Sequence, residues 1–314
     1  MSDRLDGAAK VKLVVISAPA GFGKTTAVAA WLERVPDSLV AWLSLDEGDH
    51  DSVAFWTSVI GAVQAAAPEV GDGVVESLQS AHPPIEPLLT SVLNELSELD
   101  RELFLVLDDY HLADGPAVTD GMVFLLEHLP PSVHVVLTTR ADPSLPLARL
   151  RARGDLVEVR ASDLRFTTGE VSAYFAQAGA TALDDADVAA LASRTEGWVA
   201  AMQLAALSLQ DRADPSAFIA GFSGDNRYVV DYLVEEVLAH QPDQMRAFLL
   251  QTSILDRLTG DLCDAVTGQA GGKAMLELVS RANLFLTSLD ETRTWYRYHH
   301  LFADMLQTHL RDER

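Results

Sequence analysis

Residues 11–16, VKLVVI, are apolar at every position but Lys12, and the stretch that follows, SAPAGFGKT, is small and polar before TAVAAWLERV takes up a helix-like spacing. An unbroken β-branched run of this kind reads as a strand covered on both faces, the environment of a parallel sheet. Similar runs recur at LVAWLSL (39–45), LFLVL (103–107), VHVVLTT (133–139) and LVEVR (156–160). Residues 52–100 read as mainly helical, interrupted by a proline-bearing loop at HPPIEP (82–87). Strands alternating with helices predict an α/β fold built on a parallel sheet. From Thr167 the pattern changes: TTGEVSAYFAQAG, DDADVAALASRTEG and WVAAMQLAALSLQ keep a helical period, so a helical domain is expected to begin near residue 166. Residues 211–225 read as a connector, and RYVVDYLVEEVLAHQPDQMRAFLLQTSIL supplies two more helices. LFLTSLDETRTWYRYHHLF reads as two short strands around a turn, then a helix, which predicts a winged-helix module. The expected division is therefore 1–165, 166–224 and 225–314.

The 314 residues are 48% hydrophobic, enough for a large core and more than one domain. The formal net charge of -23 disfavours a surface made to hold a nucleic-acid backbone, which needs clustered Lys and Arg. Cys263 is the only cysteine, so no internal disulfide can form and a reducing compartment is expected. There is no run of about 18 apolar residues and the first residues are polar, so a cytoplasmic protein without a membrane partner is expected.

The loop at 18–25 approaches the phosphate-binding pattern G-x-x-x-x-G-K-[ST], with Ala18 in place of the first glycine and Gly23, Lys24 and Thr25 in position. Gly21 and Gly23 can adopt backbone angles that other residues avoid. The N–H groups of Ala20, Gly21, Phe22, Gly23, Lys24, Thr25 and Thr26 can then turn toward phosphate oxygens at a helix N-terminus. Lys24, a candidate catalytic residue, is expected to reach the β- and γ-phosphates, and the Thr25 hydroxyl to be a Mg2+ ligand. The expected ligand is ATP or ADP with Mg2+. An ordinary strand–helix turn that happens to hold Gly and Lys fits the context less well.

ELFLVLDDYH delivers Asp108 and Asp109 at the C-terminal end of a strand, the edge where open α/β sheets bind ligands. Asp108 is assigned to the metal and Asp109 to polarising an attacking water, a catalytic role. Read alone, the pair would be an exposed acidic turn. Arg140 ends the run VHVVLTT at the same edge: it either reads a γ-phosphate through bidentate contacts or is a surface arginine in an acidic protein. Asp46, Glu47, Asp49 and Asp51 lack the order of a calcium loop and its closing glutamate, which favours a solvated loop. Arg149, Arg151 and Arg153 are read as partners of the plentiful acids, with an arginine finger toward a neighbouring subunit as the alternative.

In order, SAPAGFGKTT, WLSLDEGD, LVLDDYH, LTTR, DLRFT, EGW with VAAMQLAALSL, DYLVEEVL and RYHHLF resemble the MalT-like transcriptional regulators, whose large members carry a LuxR-type DNA-binding domain. The resemblance covers nearly the whole chain. It implies the core of a STAND-class ATPase: a P-loop NTPase parallel sheet followed by a helical domain and a winged-helix domain. It also implies Gly21, Gly23, Lys24, Thr25 and Thr26 in the phosphate loop, Asp108 and Asp109 at the acidic strand end, and Arg140 as γ-phosphate sensor. A winged-helix histidine contacts the β-phosphate of ADP in related proteins. This points to His299, with His300 or a plain packing histidine as alternatives. The G-x-P element common in this class stands here as Gly197-Trp198-Val199, without the proline. The implied function is an ATP/ADP switch with slow hydrolysis, closed with ADP and self-associating with ATP; a working NTPase and a nucleotide-holding scaffold are the alternatives. DNA contact would come only through a C-terminal domain outside these 314 residues.

Overall fold

The computed structural model describes residue 5 and residues 7–35, 37–78, 84–178, 183–209 and 214–312. Positions 82–83 of the expected HPPIEP loop and 211–213 of the expected connector lie outside the described residues. The chain divides into two compact units, Met1–Ala18 with Lys24–Asp163 and Pro19–Gly23 with Leu164–Arg314.

In the first unit, β1 (Leu13–Ser17), β2 (Leu39–Ser44), β3 (Leu103–Asp108), β4 (Val133–Thr139) and β5 (Leu156–Arg160) form one sheet. Their order is β2-β3-β4-β1-β5, parallel throughout. The helices of this unit are α1 (Lys24–Leu32), α2 (Ser52–Ala66), α3 (Val74–Leu78), α4 (Ile85–Leu96), α5 (Pro116–His128) and α6 (Leu147–Arg153). β1, β3 and β4 are buried at every position, while the edge strands β2 and β5 are buried only in part. Covering both faces removes the polar alternation from the central strands, which is why they read as unbroken apolar runs. The register sets Ile16 beside Thr138 and Leu107 beside Leu137, so Ser17, Asp108 and Thr139 reach the same sheet edge.

The acidic stretch at 46–51 is spent on helix caps. Asp46 accepts the Gly48 N–H at 2.7 Å, Asp49 accepts the Asp46 N–H at 3.0 Å, and Asp51 accepts the N–H groups of Val53 and Ala54 at the start of α2. Among the described residues no group of three or more His, Cys, Asp or Glu could hold a metal ion.

A single turn, α7 (Ala161–Leu164), follows β5. The second unit continues with α8 (Thr168–Gln177), α9 (Asp185–Thr195), α10 (Val199–Leu209), α11 (Pro215–Gly221) and α12 (Arg227–Leu233), which runs on as a π-helical turn, Val234–Leu238. Then come α13 (Asp243–Thr252), α14 (Gly260–Thr267), α15 (Gly272–Arg281), the antiparallel hairpin of β6 (Leu286–Ser288) and β7 (Tyr296–Tyr298), and α16 (His300–Asp312). The stretch expected to be a connector is partly helical, because Asp214 accepts the Ala217 N–H and Pro215 fits a first helical turn. α14 and α15 were not expected from the sequence; both are short, and their buried residues are few, Cys263 on one and Gly272, Leu276 and Val279 on the other. No helix among the described residues is long and apolar enough to cross a membrane.

The core of the first unit carries a testable contact. Phe55 and Trp56 pack edge to face at 5.0 Å, and Trp56 lies so close to α5 that a Cβ on Gly121 would fall 2.7 Å from its ring. Gly121→Ala should therefore destabilise the protein by about 1–3 kcal/mol through overpacking. Gly61→Ala on α2, where nothing lies within 4 Å, should be neutral or stabilising. Urea unfolding midpoints of the two variants check this, and equal midpoints would show that Trp56 moves aside freely.

Candidate functional site

The C-terminal edge of the sheet gathers the polar residues of the first unit. Asp108 is 4% exposed and ends a wholly buried strand, so its carboxylate needs partners within the protein. Thr25 Oγ1 donates to Asp108 Oδ1 at 3.0 Å, and the Thr138 hydroxyl donates to the same oxygen. Thr138 Oγ1 also accepts the N–H of Asp109 at 3.0 Å, which helps hold Asp109 in a left-handed conformation at φ 55°. A short 3-10 turn, Tyr110–Leu112, begins there and brings His111 back toward the edge, with Nδ1 3.8 Å from Asp109 Oδ1.

Lys24 opens α1, buried, and donates Nζ to the Ala18 carbonyl at 3.0 Å. Burial pushes its pKa down to about 8; Asp109 and Asp108 oppose that fall, and the positive charge of Arg140 adds to it. His111 is pushed down to about 4, first by burial and then by Arg140 and Lys24. The two shifts have Arg140 as a common cause, so Lys24, His111, Asp108 and Arg140 lie in one local field. Thr25 and Thr26 stand exposed on the first turn of α1. Arg149 pairs with Glu127 at 2.6 Å and Arg151 with Glu158 at 2.7 Å.

Pro19–Gly23 clusters with the second unit. Gly21 and Gly23 take φ values of 73° and 74°, the left-handed region open to glycine. The Trp198 indole Nε1–H donates to the Ala20 carbonyl at 3.0 Å, and the Ala200 N–H at the start of α10 donates to the Gly21 carbonyl at 3.0 Å. A trans peptide sets its C=O and N–H on opposite sides, so these two bonds turn the N–H groups of Gly21 and Phe22 away from α10. A Cβ on Gly21 would lie 2.5 Å from Ala200 Cβ, which leaves no room for a side chain.

His299 is 2% exposed, with Nε2 3.0 Å from the Thr195 carbonyl and Nδ1 without a hydrogen-bond partner. Its ring stands edge-on to Trp198 at 5.9 Å and Phe285 at 5.8 Å, and Phe22 meets Phe285 at 6.1 Å. Burial, opposed by Glu196, pushes His299 down to about 4, so the imidazole is neutral at physiological pH. Next to it, Glu196 accepts two hydrogen bonds from Arg297, at 2.8 and 2.7 Å. Burial would raise Glu196, but Arg297 prevails and holds the carboxyl at about 2. His300 is exposed and pairs with Glu196 at 3.3 Å.

Sequence reasoning assigned no role to Thr138, His111 or Trp198. Each stood inside a quoted motif, LTTR, LDDYH and EGW, and a hydroxyl following an apolar strand was the available signal for the first.

Residues 234–314 match the MalT winged helix domain. The chain is 34% identical over 313 residues to the serine/threonine-protein kinase PknK of Mycobacterium tuberculosis, covering 99% of this chain and 28% of that protein. It is 36% identical over 309 residues to the HTH-type transcriptional regulator MalT of Klebsiella pneumoniae, covering 97% of this chain and 34% of that protein. It thus spans about a third of the length of these curated relatives. The Walker-type ATPase paby2304 of Pyrococcus abyssi shares the fold, with a TM-score of 0.62 over 99% of this chain and 94% of that one at 12% identity. Residues 234–314 thus match the MalT winged helix domain, the chain is similar to MalT of Klebsiella pneumoniae along nearly all of its own length, and its parallel sheet followed by helices has the fold of the Pyrococcus abyssi protein.

Proposed function

We propose that this chain is an ATP/ADP-binding regulatory switch that hydrolyses ATP slowly. The observation that carries the reading is the hydrogen bond from Thr25 to Asp108, which joins the end of the phosphate loop to the end of β3 across 83 positions of sequence. Thr25 and Asp108 would hold Mg2+: both present hard oxygen atoms, already side by side, of the kind that ion takes. When bound, the ion would neutralise phosphate charge. Lys24 would lie along the β- and γ-phosphates, Arg140 would read the γ-phosphate, and the N–H groups of Ala20, Gly21, Phe22 and Gly23 would face phosphate oxygens. Asp109 would take a proton from water as its oxygen bonds to the γ-phosphorus; the bond to the bridging oxygen breaks and its electron pair leaves with ADP.

The working division is into a P-loop domain (1–165), a helical domain (166–224) and a winged-helix domain (225–314). In the switch, ADP favours a resting state and ATP a self-associating one, which requires different affinities in the two states. One relative is named a kinase and the other a transcriptional regulator, so the output would be supplied by regions other than this module. Its own charge of -23 supports the same division, with DNA contact left to a C-terminal domain. A cytoplasmic setting goes with this reading. The test is to denature the purified protein and identify released nucleotide by chromatography. Near-stoichiometric ADP supports the switch, and an empty protein that turns ATP over rapidly supports a working NTPase.

Lys24→Ala should weaken nucleotide binding about a hundredfold or more, roughly 3 kcal/mol, read by titration calorimetry. In the wild type a bound phosphate favours the charged amine, so the Lys24 pKa rises on binding. Affinity should then fall as pH rises through about 8, with proton uptake seen as a dependence of the binding heat on buffer ionisation enthalpy. A pH-independent affinity would remove Lys24 from the phosphate site. Asp109→Asn should keep nucleotide binding but slow hydrolysis by about a hundredfold or more in single-turnover assays. His299→Ala should speed ADP release and raise the fraction of self-associated protein in sedimentation velocity; an unchanged release rate returns His299 to a packing role.

A further inference from the structure

His111 stands at the sheet edge with an unusual deficit. Its Nδ1 is buried and has no hydrogen-bond partner, while Asp109 Oδ1 lies 3.8 Å away, just beyond hydrogen-bond reach. A buried nitrogen without a partner is costly, so a state that closes this gap is favoured over one that leaves it. The turn makes the approach easy. Asp109 is left-handed, and the Leu112 N–H returns to the Asp109 carbonyl at 3.0 Å, which folds His111 over the residue two positions before it. Asp109 meanwhile needs a support: its side chain is 40% exposed, and an exposed carboxylate samples several rotamers.

The charged groups that act on His111 come from each neighbouring element: Lys24 from α1, Asp108 from β3, Asp109 from its own turn and Arg140 from the end of β4. Burial is the main reason that the ring stays neutral and carries a single N–H, and the two cations standing there add to it. A neutral ring is suited to orienting a carboxylate without adding a third positive charge to compete for the phosphates.

We propose that His111 is the positioning residue for Asp109, donating Nδ1–H to its carboxylate and so aiming the other oxygen at the attacking water. The proposal rests on the reading of Asp109 as the residue that polarises water. His111 stands in the same turn as Asp109, and its buried Nδ1, without a hydrogen-bond partner, lies 3.8 Å from that carboxylate.

Two kinds of measurement test it on the whole chain. The first is the 15N spectrum of the His111 imidazole, free and with a non-hydrolysable ATP analogue. A neutral ring protonated at Nδ1, lost to the Nε2 tautomer in Asp109→Ala, is expected; an Nε2–H ring in both proteins overturns the pairing. The second is single-turnover hydrolysis with ADP affinity as control. His111→Ala should slow turnover about tenfold to a hundredfold while affinity stays within about threefold. His111→Asn, whose amide nitrogen stands where Nδ1 stood, should recover most of the rate. The double variant His111→Ala with Asp109→Asn should be no slower than Asp109→Asn alone. Additive losses, or no rescue by Asn, overturn the role. A wild type that binds nucleotide without hydrolysing it defeats the assignment of Asp109 instead, and the tautomer still decides whether His111 and Asp109 are paired.

Discussion

A carboxylate at the end of a fully buried strand has to be solvated by the protein itself, and much of the first unit is arranged around Asp108 for that reason. The parallel register brings Thr138 of β4 beside it, and α1 must begin close enough for Thr25 to reach the same oxygen. Thr138 then serves a second purpose, since its oxygen accepts the Asp109 N–H and so helps fix the turn that carries both Asp109 and His111. One buried charge thus couples the start of a helix, the ends of two strands and the loop after β3. Loss of Asp108 would leave two hydroxyls without an acceptor and would loosen the turn along with any metal site.

The second unit solves a different problem, a backbone reversal in little space. Glu196 is left-handed at φ 49° and Gly197 follows at φ 72°, where a Cβ would meet the Phe166 carbonyl at 2.6 Å. The reversal ends α9 and starts α10, and it delivers Trp198 fully buried to the Ala20 carbonyl. The strain of a left-handed glutamate is offset by its side chain, which Arg297 grips at both oxygens. The proline missing from this element is compatible with that arrangement, because residue 199 already opens a helix whose next N–H bonds the Gly21 carbonyl.

The sheet was legible because parallel strands buried on both faces leave an unmistakable apolar signature, and the loop between β1 and α1 because glycines stood between an apolar run and a helical one. Boundaries were less legible: β1 begins at Leu13 rather than residue 11, since Val11 caps the 3-10 turn Ala8–Lys10. α14 and α15 were not read although α15, Gly272–Arg281, is as long as α8 and sets Met275, Leu276 and Val279 at helical spacing. The roles of Thr138, His111 and Trp198 were hidden for another reason. Each depends on a partner distant in sequence or on an unusual backbone angle, and neither is written in local pattern.

The chain is strongly acidic, yet two cations, Lys24 and Arg140, stand beside Asp108 and Asp109 at the sheet edge, and distance reconciles the two facts. A net charge of -23 repels an anionic nucleotide in solution, but salt screens that repulsion within about 8 Å at physiological ionic strength. Lys24 and Arg140 act at much shorter range, in surroundings buried enough to push Lys24 down to about 8. A lysine held in that condition is destabilised as a cation, so a phosphate bound beside it, as proposed, would gain part of its binding energy from relief of a cost already built into the fold. The same acidity that argues against a nucleic-acid backbone along the surface is therefore no obstacle to a single polyphosphate at the sheet edge.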